Sequence, residues 1–211
     1  MIRCKAVLFH ATRPFSVSCS NTNCVSRGYT PLTALHLMPY NQENREKRYI
    51  PVIYVLSDIH GNERRFDSIL KQIYLQSEDT LYILGDVIDR HPGGIRILRK
   101  IMSMPNVKML LGTHEYMMLR ALGHPYDDTW DDGRAMEHWY RNGGKVTHDS
   151  FKRIQKNLRE EIINYLLNLP LNLDIKVNGI DYKLVHAAPI GEYDSDPRYK
   201  NPIHFAVWKR L

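Results

Sequence analysis

From Ile50 onward the chain repeats one unit, a short apolar strand, a polar turn and an amphipathic helix, and this repetition limits the possible fold more than any other feature. Residues 50–56 form the first strand, and the helix after it places Phe66, Ile69, Leu70 and Ile73 at i, i+3, i+4 and i+7. Residues 81–84 form the second, followed by a helix over 95–104 that presents Ile95, Leu98, Ile101 and Met102 before Pro105 stops it. Residues 107–111 form the third, followed by a helix carrying Met117, Met118, Ala121 and Leu122 up to Gly123. Each apolar helix face must be buried, so strands alternating with helices at this spacing predict a parallel sheet with helices packed on it.

Beyond Pro125 the pattern is helical, through residues 135–142 with Gly143-Gly144 as a stop, then along an amphipathic stretch over 149–168 that Pro170 closes. Two further runs, 172–177 and 180–186, flank Asn178-Gly179, a dipeptide that predicts a two-residue hairpin turn and antiparallel pairing. The expected fold class is therefore α/β, in one domain over residues 49–211.

The first 48 residues behave differently. They hold seven Lys/Arg against two Asp/Glu, with no acid before Glu43, and no period of 2 or 3.6 persists. They are read as a basic, disordered extension in preference to an organelle transit peptide, which shares the Arg-rich, acid-poor composition. Of the net charge of +6, this stretch carries +5. The near-neutral body shows no Lys/Arg cluster of the kind a phosphate-backbone groove needs, so a nucleic-acid partner is not expected. Cys4, Cys19 and Cys24 all lie in the extension, outside any metal or redox spacing. The cysteine-free body fits a reducing compartment, and a cytoplasmic location is expected. No apolar run approaches the ~18 residues of a membrane span, so no membrane partner is expected.

In open α/β sheets ligands sit at the carboxyl ends of the strands, and here those ends carry the chemistry. The first strand runs into Ser57-Asp58-Ile59-His60-Gly61-Asn62, the second into Gly85-Asp86-Val87-Ile88-Asp89-Arg90, the third into Gly112-Thr113-His114-Glu115, and the second hairpin strand ends at His186. Carboxylates and imidazoles together suit a borderline divalent metal such as Mn, Fe or Zn, and two such ions can clamp an in-line phosphoryl displacement. Asp58 and His60, two apart, can reach the same ion, and Asp86 from the neighbouring strand can bridge two. Singly, each residue is as well explained as a helix N-cap or a structural histidine; the order and spacing of the set are what point to a site.

Asp58-x-His60, Gly85-Asp86-x-x-Asp89-Arg90 and Gly112-Thr113-His114-Glu115 resemble the D-x-H, G-D-x-x-D-R and G-N-H-E signatures of calcineurin-type metallophosphoesterases, in the phosphoprotein phosphatase family. The segments 112–122, 139–144 and 207–210 extend the resemblance toward bacterial and bacteriophage-lambda-type serine/threonine phosphatases. It implies a two-sheet β-sandwich flanked by helices and a pair of divalent ions, with Mn favoured. Asp58, His60 and Asp86 would ligate the first ion, and Asp86 and His186 the second. His114 would be the general acid, oriented by Asp89, and Arg90 and Arg210 would hold phosphate. The implied reaction is hydrolysis of a phosphoprotein or a small phosphomonoester by metal-activated hydroxide.

Two departures bear on the second ion. Thr113 stands where the family has Asn, and offers only a hydroxyl as a weak metal candidate. A later family His, in a G-H-T segment, has no counterpart before Leu211, which implies a C-terminally shortened domain, a weakened second site and an incomplete second sheet. The alternatives are accordingly a catalytically impaired remnant that binds metal or phosphoprotein, and a dinucleoside polyphosphate hydrolase of the same superfamily. Asp89 followed by Arg90 favours the phosphatase over the hydrolase, by resemblance.

Four further features invite a functional role but read more simply as ordinary structure. His204 is taken as an ordinary histidine, Trp139 and Tyr140 as core, and His91-Pro92-Gly93-Gly94 as a turn into a helix. Asp127, Asp128, Asp131 and Asp132 around Trp130 are taken as a solvated acidic loop.

Overall fold

A computed structural model of the chain describes residues 3–6, 50–124, 133–195, 197–199 and 201–209. Its main sheet is built from apolar runs too short for helices and rich in β-branched and aromatic residues. Strands β1 (Arg3–Ala6), β2 (Val52–Leu56), β3 (Thr80–Ile83) and β4 (Val107–Met109) lie in that order, every neighbouring pair parallel. Parallel neighbours need a long crossover, and helices supply it: α1 (Glu63–Ile73) joins β2 to β3, and α2 (Gly94–Met102) joins β3 to β4. Asn62 starts α1 by accepting the Arg65 N–H on its side chain at 3.1 Å.

β1 was not expected, because nothing in the first 48 residues has a strand's periodicity. Its pairing with β2, Arg3 opposite Val52 and Ala6 opposite Val55, is a backbone interaction that needs no side-chain pattern, and it covers an edge of β2 that would otherwise present unpaired N–H and C=O groups. The rest of that stretch lies outside the described residues.

Alternate strand side chains point to opposite faces, and this alternation divides the core in two. Tyr54, Leu56, Leu81, Ile83, Val107 and Met109 face the helices and join Phe66, Ile69, Leu98, Ile101 and Trp139 in the larger core. Ile53, Val55, Tyr82, Leu84 and Leu110 face the other way and meet Leu173, Ile175 and Leu184. Those three belong to the second sheet, β5 (Asn172–Val177) and β6 (Ile180–Val185), an antiparallel pair. Its turn residues Asn178 and Gly179 have φ of 52° and 83°, as a type I′ hairpin requires. The result is the expected two-sheet α/β arrangement with helices on the outer face of the larger sheet, and among the described residues the second sheet holds these two strands.

The remaining helices are α3 (Thr113–Ala121), α4 (Ala135–Arg141), α5 (Lys145–Arg153), α6 (Lys156–Leu167) and α7 (Pro202–Trp208). The single amphipathic helix expected over 149–168 is two. Ile154 (ψ 161°) and Gln155 (ψ 153°) are extended, and the bend carries Ile154 onto the core. With no Gly or Pro at the break, the apolar period runs on in sequence and hides it. No helix among the described residues is long and apolar enough to cross a membrane.

Candidate metal centre

The loops leaving β2 and β3 hold five side chains of interest in left-handed backbone: Asp58 (φ 56°), His60 (47°), Asp86 (57°), Asp89 (71°) and Arg90 (64°). Such a conformation is costly for a residue with a Cβ and persists only where its surroundings over-determine it. They do so here. His60 N–H donates to the Asp86 carbonyl at 2.9 Å, Gly61 N–H to that of Val87 at 2.6 Å and Arg90 N–H to that of Gly143 at 3.1 Å. Asp89 N–H donates to Thr147 Oγ1 at 2.9 Å.

Gly112 is required by close approach, since a Cβ there would lie 2.3 Å from Asp86 N and 2.6 Å from Asp86 Oδ1. Beyond it Glu115, fully buried, gathers the backbone of the neighbouring loop. Its carboxylate accepts N–H groups from Asp86 (2.9 Å), Val87 (2.8 Å), Ile88 (3.3 Å) and Gly112 (3.2 Å). Burial, followed by the charge of Asp86, pushes the Glu115 carboxyl up, against the pull of those N–H groups and His114.

Three imidazoles converge on one carboxylate. Nε2 of His60 and of His114 each stand 3.9 Å from Asp86 Oδ2, and Nε2 of His186 stands 3.5 Å from Asp86 Oδ1. Each ring is fixed through its other nitrogen: His60 Nδ1 by the Ile88 carbonyl (3.3 Å), His186 Nδ1 by the Leu84 carbonyl (2.5 Å) and His114 Nδ1 by Asp89 Oδ2 (2.7 Å). A carbonyl can only accept, so His60 and His186 donate from Nδ1, and each ring turns its Nε2 inward, the nitrogen a metal ion would take. Asp58 Oδ1 joins from the first loop, 3.5 Å from His60 Nε2.

The charges follow from this packing. Burial raises the Asp58 carboxyl, but hydrogen bonds from His60 and Ser57 and the charge of His186 outweigh it and hold it at about 2. Burial likewise works against the Asp86 carboxylate, and the charges of His186, His114 and His60 overcome it, so its pKa is lowered. For His114, burial is overcome by Asp86 and by the Asp89 bond, and the pKa is raised. Ligand atoms of His60, Asp86 and His114 lie within 4.8 Å of one another. Of the side chains gathered here, the carboxylates of Asp58 and Asp86 and the carbonyl-anchored imidazoles of His60 and His186 are a donor set that fits divalent metal ions, while His114 is tied to a carboxylate instead.

Asp89 has no exposed surface. Its Oδ2 takes the indole N–H of Trp139 at 2.8 Å besides His114, and its Oδ1 is buried without a partner among the described residues. Arg90 is exposed and lies beside the same histidine, Nη2 to Nε2 at 3.2 Å. The Thr113 hydroxyl donates to the Val207 carbonyl and lies 3.2 Å from His186 Nε2.

Asp58, His60, Asp86, Asp89, Arg90, Thr113, His114 and His186 are thus brought together. Arg210 and the acidic loop 127–132 lie outside the described residues. His204 sits in α7 amid aromatics, its ring 5.7 Å from Trp208 and 6.3 Å from Tyr116. Trp139 is buried in the core as expected, but its bond to Asp89 and that of Thr147 were not foreseen, because a buried Trp and a helical Thr carry no sequence signal of what their polar atoms touch.

Residues 51–210 match the calcineurin-like phosphoesterase family. Serine/threonine-protein phosphatase 2 of Escherichia coli (strain K12) is 32% identical over 146 residues, which cover 67% of this chain and 61% of that protein. The symmetrical bis(5'-nucleosyl)-tetraphosphatase of Acidovorax ebreus (strain TPSY) is 26% identical over 147 residues, covering 68% of this chain and 46% of that one. The chain therefore spans about half the length of such relatives. A solved metallophosphoesterase from Sphaerobacter thermophilus superposes with a TM-score of 0.44 at 19% identity, over 75% of this chain and 50% of that one. With three quarters of its length matched by the family, and with the strand-end residues of its motifs gathered around Asp86, the chain belongs to the calcineurin-like phosphoesterases.

Proposed function

We propose that the chain hydrolyses phosphomonoesters, with phosphoserine or phosphothreonine in proteins as the substrate class. The observation that carries this reading is the His114–Asp89 pair at 2.7 Å, set beside the carboxylates and imidazoles of Asp58, His60 and Asp86 and beside the Arg90 guanidinium. Asp58, His60 and Asp86 would hold one divalent ion, and Asp86 and His186 a second; Mn, Fe or Zn suits mixed imidazole and carboxylate donors. When bound, the ions supply Lewis-acid polarisation of water and of the phosphate oxygens.

The side chains do the rest. Arg90 offers a planar fork to two phosphate oxygens and orients the ester. As water adds to phosphorus and the P–O bond to the alcohol breaks, the proton on His114 Nε2 passes to the departing oxygen, giving free alcohol and inorganic phosphate. Asp89 steadies the ring throughout, and the nearby carboxylates keep His114 protonated at higher pH than a free imidazole.

The protein-phosphatase substrate follows the 32% relative; a dinucleoside polyphosphate is the second reading, favoured by the 26% relative. A binding protein with an impaired site is the third, favoured by the Thr113 hydroxyl, whose proton is committed to Val207. The purified chain with Mn2+ is assayed on p-nitrophenyl phosphate, a phosphoserine peptide and diadenosine tetraphosphate, with Asp86→Asn as the blank. Turnover of the first two above the blank is expected; turnover of the dinucleotide alone selects the second reading, and rates at the blank with a folded protein select the third.

A further inference from the structure

The general-acid histidine is steadied by Asp89, but Asp89 is itself held, and what holds it comes from one short stretch of α4 and α5. Trp139 Nε1–H donates to Oδ2 at 2.8 Å, the same oxygen that takes His114 Nδ1 at 2.7 Å. Thr147 Oγ1 accepts the Asp89 N–H, and the Gly143 carbonyl accepts the Arg90 N–H. Trp139 is fully buried, so its N–H has no water to turn to, and a buried indole N–H is costly without a partner. The turn after α4 is shaped to the ring: a Cβ on Gly144 would lie 2.3 Å from Trp139 Nε1.

We propose that Trp139 is a positioning residue of the reaction, fixing through the shared Asp89 oxygen the plane in which His114 presents its Nε2 proton to the leaving group. The inference rests on the reading of His114 as general acid. One oxygen accepting two N–H groups from different directions cannot rotate to follow either. Without the indole, the carboxylate is free to turn about its own bond, Oδ1 competes with Oδ2 for His114, and the imidazole loses a single orientation. The loss falls chiefly on proton donation, because the Arg90 backbone is anchored on the Gly143 carbonyl and not on the Asp89 carboxylate.

The test is Trp139→Phe, which keeps a ring in the core and removes the N–H, with folding checked by near-ultraviolet circular dichroism. kcat and KM are measured with Mn2+ on p-nitrophenyl phosphate, whose leaving group needs little protonation, and on phenyl phosphate, whose leaving group needs it. The expected result is a drop in kcat about 10-fold larger on phenyl phosphate than on p-nitrophenyl phosphate, with KM little changed, and no further drop on either ester when Trp139→Phe is added to His114→Asn. Equal losses on both esters, or a full additional loss in the His114→Asn background, overturn the proposal. A second arm needs no turnover: the His114 Nδ1–H held on Asp89 should give one downfield 1H–15N resonance in the wild type that broadens or moves upfield in Trp139→Phe, and an unchanged resonance overturns the proposal too. A wild type that cleaves neither ester refutes the general-acid reading instead, and the resonance then decides whether Trp139 positions His114.

Discussion

Glu115 accepts the backbone N–H of Val87 at 2.8 Å across the gap between the third and second loops of the sheet. The contact matters because Val87 follows Asp86 directly, so the carboxylate on which three imidazoles converge is aimed by a side chain that never reaches a ligand. Glu115 does this with no exposed surface, and four N–H groups depend on it.

Glu115→Ala should therefore be one of the most damaging single changes in the chain. It leaves buried donors without an acceptor, at about 1–3 kcal/mol for each that stays unpaired. A loss of at least about 3 kcal/mol in urea-unfolding free energy is expected, with Glu115→Gln intermediate, because its one oxygen can still accept two of the four N–H groups while its NH2 faces the other two. A loss below about 1 kcal/mol for the alanine variant would mean that the loop holds Asp86 by other means.

Metal binding should appear as stability. An ion that binds only the folded state raises the unfolding free energy, by about 2.7 kcal/mol at a hundredfold excess over its dissociation constant. Mn2+ should raise the thermal midpoint of the wild type, EDTA should reverse it, and Asp86→Asn should lose most of the shift. An identical shift in Asp86→Asn would place the ion elsewhere.

The metal-free protein should show the charge of Asp58 as a pH effect. Its folded pKa is lowered to about 2, so its contribution is fully present above the unfolded value near 3.8 and is lost as pH falls through about 2. The side chain is more than a third exposed, so solvent screening makes the effect modest. In EDTA, the difference in thermal midpoint between wild type and Asp58→Asn should shrink as pH falls from about 4 to about 2. A difference that stays constant over that range would show that Asp58 gains nothing from His60 and Ser57.

Gly112→Ala tests how closely the two loops must approach. The added methyl would meet Asp86 N at 2.3 Å and cannot be accommodated by turning a flexible side chain, because the clash is with backbone. A destabilisation of about 1–3 kcal/mol is expected, together with weaker Mn2+ binding as Asp86 is displaced. Full metal affinity in the variant would show that the loop has room to move.

Much of this was written in the sequence, because periodicity and turn chemistry are local. Apolar runs at the right length and spacing specified the parallel strands and their helices, Asn178-Gly179 specified the hairpin, and the motifs marked Asp58, His60, Asp86, Asp89, His114 and His186 at the strand ends. What the sequence left undetermined depends on contacts between distant segments. The strand at Arg3–Ala6 exists through backbone pairing with β2, and the bend at Ile154 through packing onto the core, and neither has a sequence period of its own. That Trp139 and Thr147 grip Asp89 from 50 and 58 residues away, and that Glu115 spans 28 residues to hold Val87, was decided by tertiary structure, since hydrogen-bond partners are chosen by proximity in space and proximity is set only once the layers have packed.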